Sequence, residues 1–305
     1  MMGRMLMLVR REFWEHRSLV VAPAVVAGLI FLGALIPLVI GLASAEVGAS
    51  GMVAALNIVP SQGTATGING LLLAPVGLIN LVLFFTVFFY CLDALYSERK
   101  DRSVLFWRSL PITDVETVVS KFATAAIAAP LVFFAVLALL QVLFLIVATM
   151  VIWAGSGDAG KLIWGPLSLT QVFGFSAYTL FASSLLTLPF IGWFIACSSL
   201  VKKAPFLWAV LPFLLIPLLE QLIFSSRHFA NIVFGHFPRA YSASFRFDPE
   251  ALPSEDDPFR GIDPTEFIDM MGLLTSVNTW AGVAVAVGFG ALAVYMRRYR
   301  TEADA

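Results

Sequence analysis

A glycine-rich segment at residues 155–161, GSGDAGK, is the first stretch whose residue types could do chemistry. Its spacing matches the phosphate-binding loop, in which backbone N–H groups hold phosphates and a lysine contacts the terminal ones. However, Leu162 stands where that loop needs Ser or Thr to bind magnesium, and no strand pattern precedes the segment. We therefore predict a glycine-rich turn here and not a nucleotide site.

Two other catalytic patterns are incomplete. Residues 155–158 match the Gly-x-Gly-Asp string of some intramembrane aspartyl proteases, but those enzymes need a second aspartate in a neighbouring span, and no predicted span centre contains one. His16, His228 and His236 are scattered and have no metal-ligand spacing. The sequence thus predicts a chain that is not itself an enzyme and binds no metal or cofactor.

The composition is that of a membrane protein. Of the 305 residues, 59% are apolar and 13% are charged, and the mean hydropathy is +0.89, whereas soluble domains carry about 25% charged residues. A soluble chain of this size needs a polar surface, so the composition excludes a soluble enzyme, a nucleic-acid-binding protein and a disordered regulator. Cys91 and Cys197 lie in apolar runs, which favours reduced, buried thiols.

Six apolar stretches approach the roughly 20 residues that a membrane-spanning helix needs. The predicted spans lie near residues 19–43, 71–92, 122–153, 172–200, 204–220 and 273–296. A further helix could lie before Asn57, but the polar, glycine-rich residues 60–70 favour a loop that leads into the second span. The expected fold is therefore all-α and integral to the membrane, with a single transmembrane domain at residues 19–305.

Basic residues predict the orientation of these spans. If the N-terminus, residues 93–121, residues 201–203 and the C-terminus share one face, that face carries 14 of the 19 Lys and Arg residues. The opposite face carries five, four of them in an acidic loop at residues 221–269. We therefore expect both termini in the cytoplasm. The first apolar run is too long for a cleavable signal peptide.

Residues 1–18, MMGRMLMLVRREFWEHRS, form a predicted interfacial helix. Leu6, Val9 and Phe13 recur at helical spacing and the charged residues lie mostly elsewhere, as in an amphipathic helix at a membrane surface. It is either a basic anchor without a partner or a connecting helix that packs against a cytoplasmic subunit. The residues assigned to it are Arg10, Arg11, Glu12 and Phe13.

Residues 93–121, DALYSERKDRSVLFWRSLPITDVETVVSK, are too polar for the bilayer, yet the apolar residues 104–107 would hold them at its surface. Pro111 interrupts the chain, and Thr113 with Glu116 three residues later forms a capping box that starts a new helix. We predict a short amphipathic helix, a proline turn and a helix that continues into the third span. The alternative is an ordinary surface loop with local ion pairs.

These two segments resemble the membrane subunits of ATP-binding-cassette exporters of the ABC-2 class. Members typically begin with a basic amphipathic helix that contains an Arg-Glu pair. Between the second and third spans they carry a Glu-Arg pair, a small residue followed by Leu, a Leu-Pro-(Ile/Val)-(Ser/Thr) step and a lysine entering the third span. Here these elements are Arg11-Glu12, Glu98-Arg99, Ser103 to Leu105, Leu110-Pro111-Ile112-Thr113 and Lys121. The charged residues 100–102 depart from the pattern, so the subfamily stays open.

The resemblance implies a bacterial plasma-membrane protein whose connection between spans two and three is a coupling helix, seated in a groove of a cytoplasmic ATPase subunit. ATP and Mg²⁺ would be bound by that partner. A second permease copy or paralogue, forming a dimer, and membrane lipids are the other implied partners, and no nucleic acid is expected. Glu98, Arg99, Asp101, Arg102 and Arg108 would contact the ATPase, Phe106 and Trp107 would anchor the helix, and Pro111, Thr113 and Glu116 would shape it.

The loop at residues 221–269 is long for a plain connection. Residues 229–247 mix aromatic side chains with arginines and are expected at the outer interface, whereas residues 248–264 are acidic and proline-rich and are expected in water. In the resembling exporters this region caps the outer end of the pathway, which implies an outer gate; the alternative is a tolerant, exposed loop. The gate residues would be Phe237, Arg239, Tyr241 and Arg246.

The predicted span centres contain no ionisable residue, whereas proton- and ion-driven carriers usually bury one in mid-membrane. Weakly polar residues and many phenylalanines suit an amphipathic or lipid-like cargo. The sequence therefore favours an exporting permease subunit with an unidentified cargo. A secondary transporter and a non-transporting scaffold or assembly factor are the alternatives.

Overall fold

The computed structural model describes residues 2–43, 48–58, 61–101, 112–246 and 263–299. These residues form helices, and within them the only extended pairing is a single bridge between Phe245 and Ile268. Six of the helices are long and apolar enough to cross a membrane. The predicted all-α membrane architecture is thereby confirmed.

The helices are numbered in chain order. They are α1 (Met2–Glu15), α2 (Ser18–Ala43), α3 (Gly48–Ile58), α4 (Ser61–Ala94), α5 (Tyr96–Lys100), α6 (Asp114–Ala123), α7 (Ala129–Ala154), α8 (Leu169–Leu186), α9 (Leu188–Leu200), α10 (Pro205–Phe224), α11 (His228–Val233), α12 (His236–Ser244), α13 (Met270–Thr275) and α14 (Val277–Tyr299). A π-helical turn, Thr124–Ala128, joins α6 to α7, which together make one apolar helix of 41 residues. Another π-helical turn, Gly160–Trp164, and a 3₁₀ turn, Pro264–Phe267, lie in the connections.

Two predictions about the first third of the chain are wrong. Residues 60–70 were expected to form a loop, but α4 begins at Ser61 and runs through this stretch. Backbone polar groups near a bilayer core must be satisfied internally, which favours a helix despite a cost of about 1 kcal/mol per glycine. The helix before Asn57, which the polar stretch argued against, is present as α3.

The fourth predicted span, 172–200, is two helices that meet at Thr187. Pro189, in the first turn of α9, has no N–H to continue the hydrogen-bond ladder of α8, so the chain breaks there. The Thr187 hydroxyl donates to the carbonyls of Ser183, at 2.9 Å, and of Ser184, at 3.1 Å, in the last turn of α8. Of the two helices, only α8 is long enough to count among the six.

The helices pack as membrane helices do, through small residues and buried polar contacts. Gly192 of α9 lies so close to the backbone of Ala286 in α14 that a Cβ would clash. The Gln141 side chain in α7 donates to the carbonyl of Leu72 at 3.0 Å and to the hydroxyl of Ser176 at 2.8 Å. These contacts join α4, α7 and α8 in the core.

The ends of several elements meet at one face. Arg99 in α5 donates to the carbonyl of Val201 at the end of α9, and Arg297 at the end of α14 donates to Asp114 at the start of α6. Lys121 in α6 donates to Glu12 in α1. The four regions that the basic residues place together therefore do lie together.

Candidate functional site

Six charged residues gather at this face, and we refer to them as the charged cluster: Arg11, Glu12, Glu98, Asp114, Lys121 and Arg297. They come from α1, α5, α6 and α14. Three are cations and three are carboxylates, so the cluster is neutral as a whole. This balance is what permits the burial of so much charge, because an unpaired buried ion is strongly destabilising.

Lys121 is the centre of the charged cluster. Its side chain is fully buried, and its ammonium donates to both carboxylate oxygens of Glu12, at 3.0 and 3.2 Å. It also lies 3.0 Å from a carboxylate oxygen of Glu98. The hydroxyl of Tyr90 donates to Glu12 at 2.9 Å. The lysine therefore bridges two carboxylates from different helices.

Glu98 is held by three cations of its own chain. Arg11 donates to one oxygen at 2.7 Å, and Arg297 donates to the other at 2.6 Å, while Lys121 completes the set. The side chain is 4% exposed. The carboxylate is therefore enclosed by cations of its own chain, and the predicted contact of Glu98 with an ATPase stays a prediction.

Arg11 and Arg297 flank Glu98 and pair with its two carboxylate oxygens. Burial alone would lower the pKa of Arg11, but the carboxylates of Glu12 and Glu98 outweigh it and raise the pKa, so the guanidinium stays charged. Arg297 uses its planar fork to contact Glu98 and, at 2.9 Å, Asp114. The last transmembrane helix is thereby tied to the start of the third span.

The predicted capping box is present. The backbone N–H of Glu116 donates to the Thr113 hydroxyl at 3.1 Å, and the Glu116 carboxylate accepts from the backbone N–H of Thr113 at 2.9 Å. This cap starts α6 immediately after the connection and orients Asp114 and Lys121. The helix that carries two of the six residues of the charged cluster is therefore continuous with the third span, as expected.

Of the other predicted coupling residues, two are described by the structure and five are not. Arg99 is tied back to the carbonyls of Ser198 and Val201, whereas Asp101 is exposed where the described chain ends. Five lie outside the described residues: Arg102, Phe106, Trp107, Arg108 and Pro111. Asp101 is thus the described member of the set that is free to meet a partner.

In α1, one side packs inward and the other stays exposed. Leu8 and Glu12 are buried, and Phe13 packs against the core. Leu6, predicted on the apolar stripe with Phe13, is 66% exposed, so its predicted contact with the membrane surface stays a prediction. Arg10 is exposed and lies 5.0 Å over the ring of Trp14.

Glu12, Glu15 and His16 are close enough together to suggest metal ligands. However, Glu12 already accepts hydrogen bonds from Lys121 and Tyr90, and Glu15 pairs with Arg11 at 2.9 Å. Burial lowers the pKa of His16, which favours its neutral ring. Glu12 thus belongs to the charged cluster, and Glu15 and His16 lie beside it, so the existing contacts of the three residues do not favour a cation site.

The four predicted gate residues divide into two pairs. Phe237 stacks on Phe190 of α9 at 5.1 Å between ring centroids, and the Tyr241 hydroxyl lies 2.8 Å from that of Ser183. Both aromatic residues belong to α12, which therefore packs between spans. Arg239 and Arg246 are exposed and instead bond residues of the outer connections.

Residues 155–158 form the predicted turn, whereas residues 159–161 are already helical. Gly155 follows the end of α7 and packs so closely on the backbone of Ala49 in α3 that a Cβ would clash. The glycines thus serve helix packing. Lys161 lies at the end of the molecule opposite the charged cluster, because α7 separates the two.

The sequence reasoning missed Tyr90 and Arg297 as members of this network, and treated Lys121 only as part of a motif. The local signal was weak, because Lys121 follows Asp114 and Glu116 in an amphipathic helix and Arg297 is one of three arginines at the end of the last span. Which partner each would find depends on helix packing between residues up to 199 positions apart, as in Arg297 and Glu98.

Comparisons with known proteins add nothing to this geometry: no family model, curated protein or solved structure matches the chain.

Proposed function

We propose that this chain is the permease subunit of an ATP-binding-cassette exporter, driven by ATP and Mg²⁺ bound in a separate cytoplasmic ATPase. One observation carries the proposal. Arg11, Glu12, Glu98 and Lys121, on which the sequence resemblance partly rests, form a single buried cluster. They come from three separate segments of the chain, and a chance resemblance would give them no reason to meet.

The charged cluster also suits mechanical coupling. An ATPase that closes on ATP can move the spans only through a rigid attachment. The predicted coupling segment, residues 93–121, is described up to Asp101 and again from Ile112, and the charged cluster joins the helices in these two described parts. Movement of this segment would thus be passed to α1, the third span and α14 together.

In this proposal the face with the charged cluster is cytoplasmic, the membrane is the bacterial plasma membrane, and a second permease copy or paralogue completes the pathway. The cargo is amphipathic or lipid-like. The described spans support this choice over an ion-driven carrier, because their ionisable residues lie near helix ends, as Glu98, Lys121 and Glu220 do.

The test uses the full chain purified from its native membrane into phospholipid nanodiscs. We expect mass spectrometry to find an ATP-binding-cassette ATPase in stoichiometric amount, and vanadate-sensitive Mg-ATP hydrolysis. Asp101→Asn, at an exposed position that leaves the charged cluster intact, should reduce recovery of the ATPase. Glu266→Gln, exposed at the opposite end, is the matched control and should not.

An intact, monodisperse chain that carries no ATPase would contradict the proposal and favour a secondary transporter or a scaffold. If Asp101→Asn changed neither the amount of ATPase recovered nor the rate of ATP hydrolysis, the predicted contact at Asp101 would be wrong.

A further inference from the structure

A cavity of about 300 Å³ lies among α4, α8, α9 and α12, close to the middle of the spans. Its lining residues in α9 reach from Phe190 to Phe194, about 10–16 Å along the helix from Val201 at the face with the charged cluster. A bilayer core is about 30 Å thick. The volume is at the lower end of the range of small-molecule sites, about 300–1,000 Å³.

The cavity wall has two chemical parts. Most of it is apolar and aromatic, with Phe84, Phe88, Phe190 and Phe237 among the lining residues. The polar part is a hydrogen-bonded series: the Asn80 amide donates to the Ser183 hydroxyl at 3.0 Å, and this hydroxyl lies 2.8 Å from that of Tyr241. The series joins α4, α8 and α12 across the cavity.

No charged side chain lines the cavity within the described part of the chain. A charged ligand group would therefore be desolvated at mid-membrane depth without a counter-ion, which costs several kcal/mol. A neutral hydroxyl, ether or amide can instead exchange hydrogen bonds with Ser183 and Tyr241. The Asn80 carbonyl oxygen offers a further acceptor, since its NH₂ group makes the bond to Ser183.

One wall opens to the side. Leu81 is 52% exposed and Phe84 is 36% exposed, both on the outer surface of α4, and both line the cavity. A molecule dissolved in the bilayer can reach the polar series through this wall without crossing water.

We propose that this cavity binds an uncharged amphiphile from the bilayer, with its apolar body against the phenylalanines and a neutral hydrogen-bonding group on Ser183 and Tyr241. The role of this cavity as a cargo site rests on the proposed function. It adds that the cargo is an uncharged amphiphile. Because Tyr241 and Phe237 belong to α12, the ligand also contacts the helix predicted to gate the outer end.

The experiment uses the full chain in phosphatidylcholine nanodiscs and a diazirine-bearing long-chain fatty alcohol as the probe. We expect saturable labelling of peptides that contain residues 77–88 and 237–241, which excess unlabelled alcohol removes. The same chain ending in trimethylammonium should label these peptides far less. Tyr241→Phe should weaken binding about two- to tenfold, as expected for one lost hydrogen bond, with Tyr295→Phe as its exposed control.

A second pair of variants tests the lateral entrance. Leu81→Trp should obstruct it and abolish saturable labelling, whereas Leu78→Trp, exposed on the same helix outside the cavity, should not. Labelling of the wild-type chain that does not saturate, or that is equal for the cationic probe, would overturn the site. Binding is measured without an ATPase, so the two proposals can fail separately. Saturable labelling of the cavity in a chain that recruits no ATPase would contradict the proposed exporter function but not the binding site. Recruitment of an ATPase by a chain whose cavity is not labelled would contradict the binding site but not the exporter function.

Discussion

The ammonium of Lys121 lies 3.0 Å from a carboxylate oxygen of Glu12, 109 residues earlier in the chain, and the two side chains are 0% and 1% exposed. This pair fixes the N-terminal helix to the first turns of the third span. A lysine so buried is tolerated only because Glu98 supplies a second carboxylate at the same distance.

Replacing Lys121 with Met should destabilise the protein by about 3–5 kcal/mol, because Glu12 and Glu98 would lose the cation between them. The measurement is thermal unfolding in detergent. Lys100→Met, at an exposed position a few residues after α4, is the matched control and should have little effect. Adding Glu12→Gln to Lys121→Met should cost less than the sum of the two single changes. Additive losses would mean that the two residues do not interact.

Arg297→Lys should loosen the end of α14, because an ammonium cannot reproduce the fork that contacts Glu98 and Asp114 together. Losing one hydrogen bond to a charged group costs about 1.5–3 kcal/mol. Hydrogen exchange of residues 290–299 should become faster. The neighbouring Arg298 is exposed, so Arg298→Lys serves as control. Identical exchange in the two variants would contradict the bridging role.

Much of the fold followed from local signals. Long uncharged runs predicted six membrane-spanning helices, and Thr113 with Glu116 predicted where α6 begins. The loop predicted at the glycine-rich residues 60–70 was wrong because local propensity favours a turn there, whereas an apolar environment stabilises an unbroken helix. The break at Thr187 was missed because the chain is apolar and uncharged on both sides of it, although Pro189 was the available signal.

Asp269 should make the start of α13 sensitive to acid. Its carboxylate accepts from the Gly272 N–H at 2.7 Å and from Arg246 at 3.1 Å, and these bonds lower its pKa below the usual 3.8. A carboxyl with a lowered pKa stabilises the fold above pH 3.8, and this contribution is lost as the pH falls through the folded-state pKa.

Hydrogen exchange of residues 270–275, corrected for the intrinsic pH dependence, should therefore rise in acid. Asp269→Asn keeps a good helix cap but cannot titrate, so it should show no such rise. The same acid response in both proteins would assign the effect to another group.

The proposed orientation predicts which ends of α10 are accessible. In a background without Cys91 and Cys197, Ser225→Cys should react with an impermeant maleimide added to intact cells, and Lys203→Cys should react only after the membrane is opened. Both positions are exposed and lie at opposite ends of one helix. The reverse pattern would place the charged cluster outside the cell.

The candidate site was predictable only in part. The charged residues of α1 and of residues 93–121 were identified, because motif spacing is local. That Glu98 points inward to Lys121 and Arg297 could not be predicted, because this depends on how helices distant in sequence pack. The pairing of Tyr241 with Ser183 likewise depends on how far α12 enters between the spans, which the mixture of aromatic residues and arginines at residues 229–247 does not specify.

The most direct test of the central claim is photo-crosslinking from Trp107, in the segment proposed to contact the ATPase. A photoreactive phenylalanine analogue replaces Trp107 in the full chain, and replaces Trp153, 67% exposed at the other end of the third span, as the matched control. The account predicts that irradiated native membranes yield an adduct with an ATP-binding-cassette ATPase from position 107 and none from position 153. Adducts from position 107 that contain no such ATPase would contradict it.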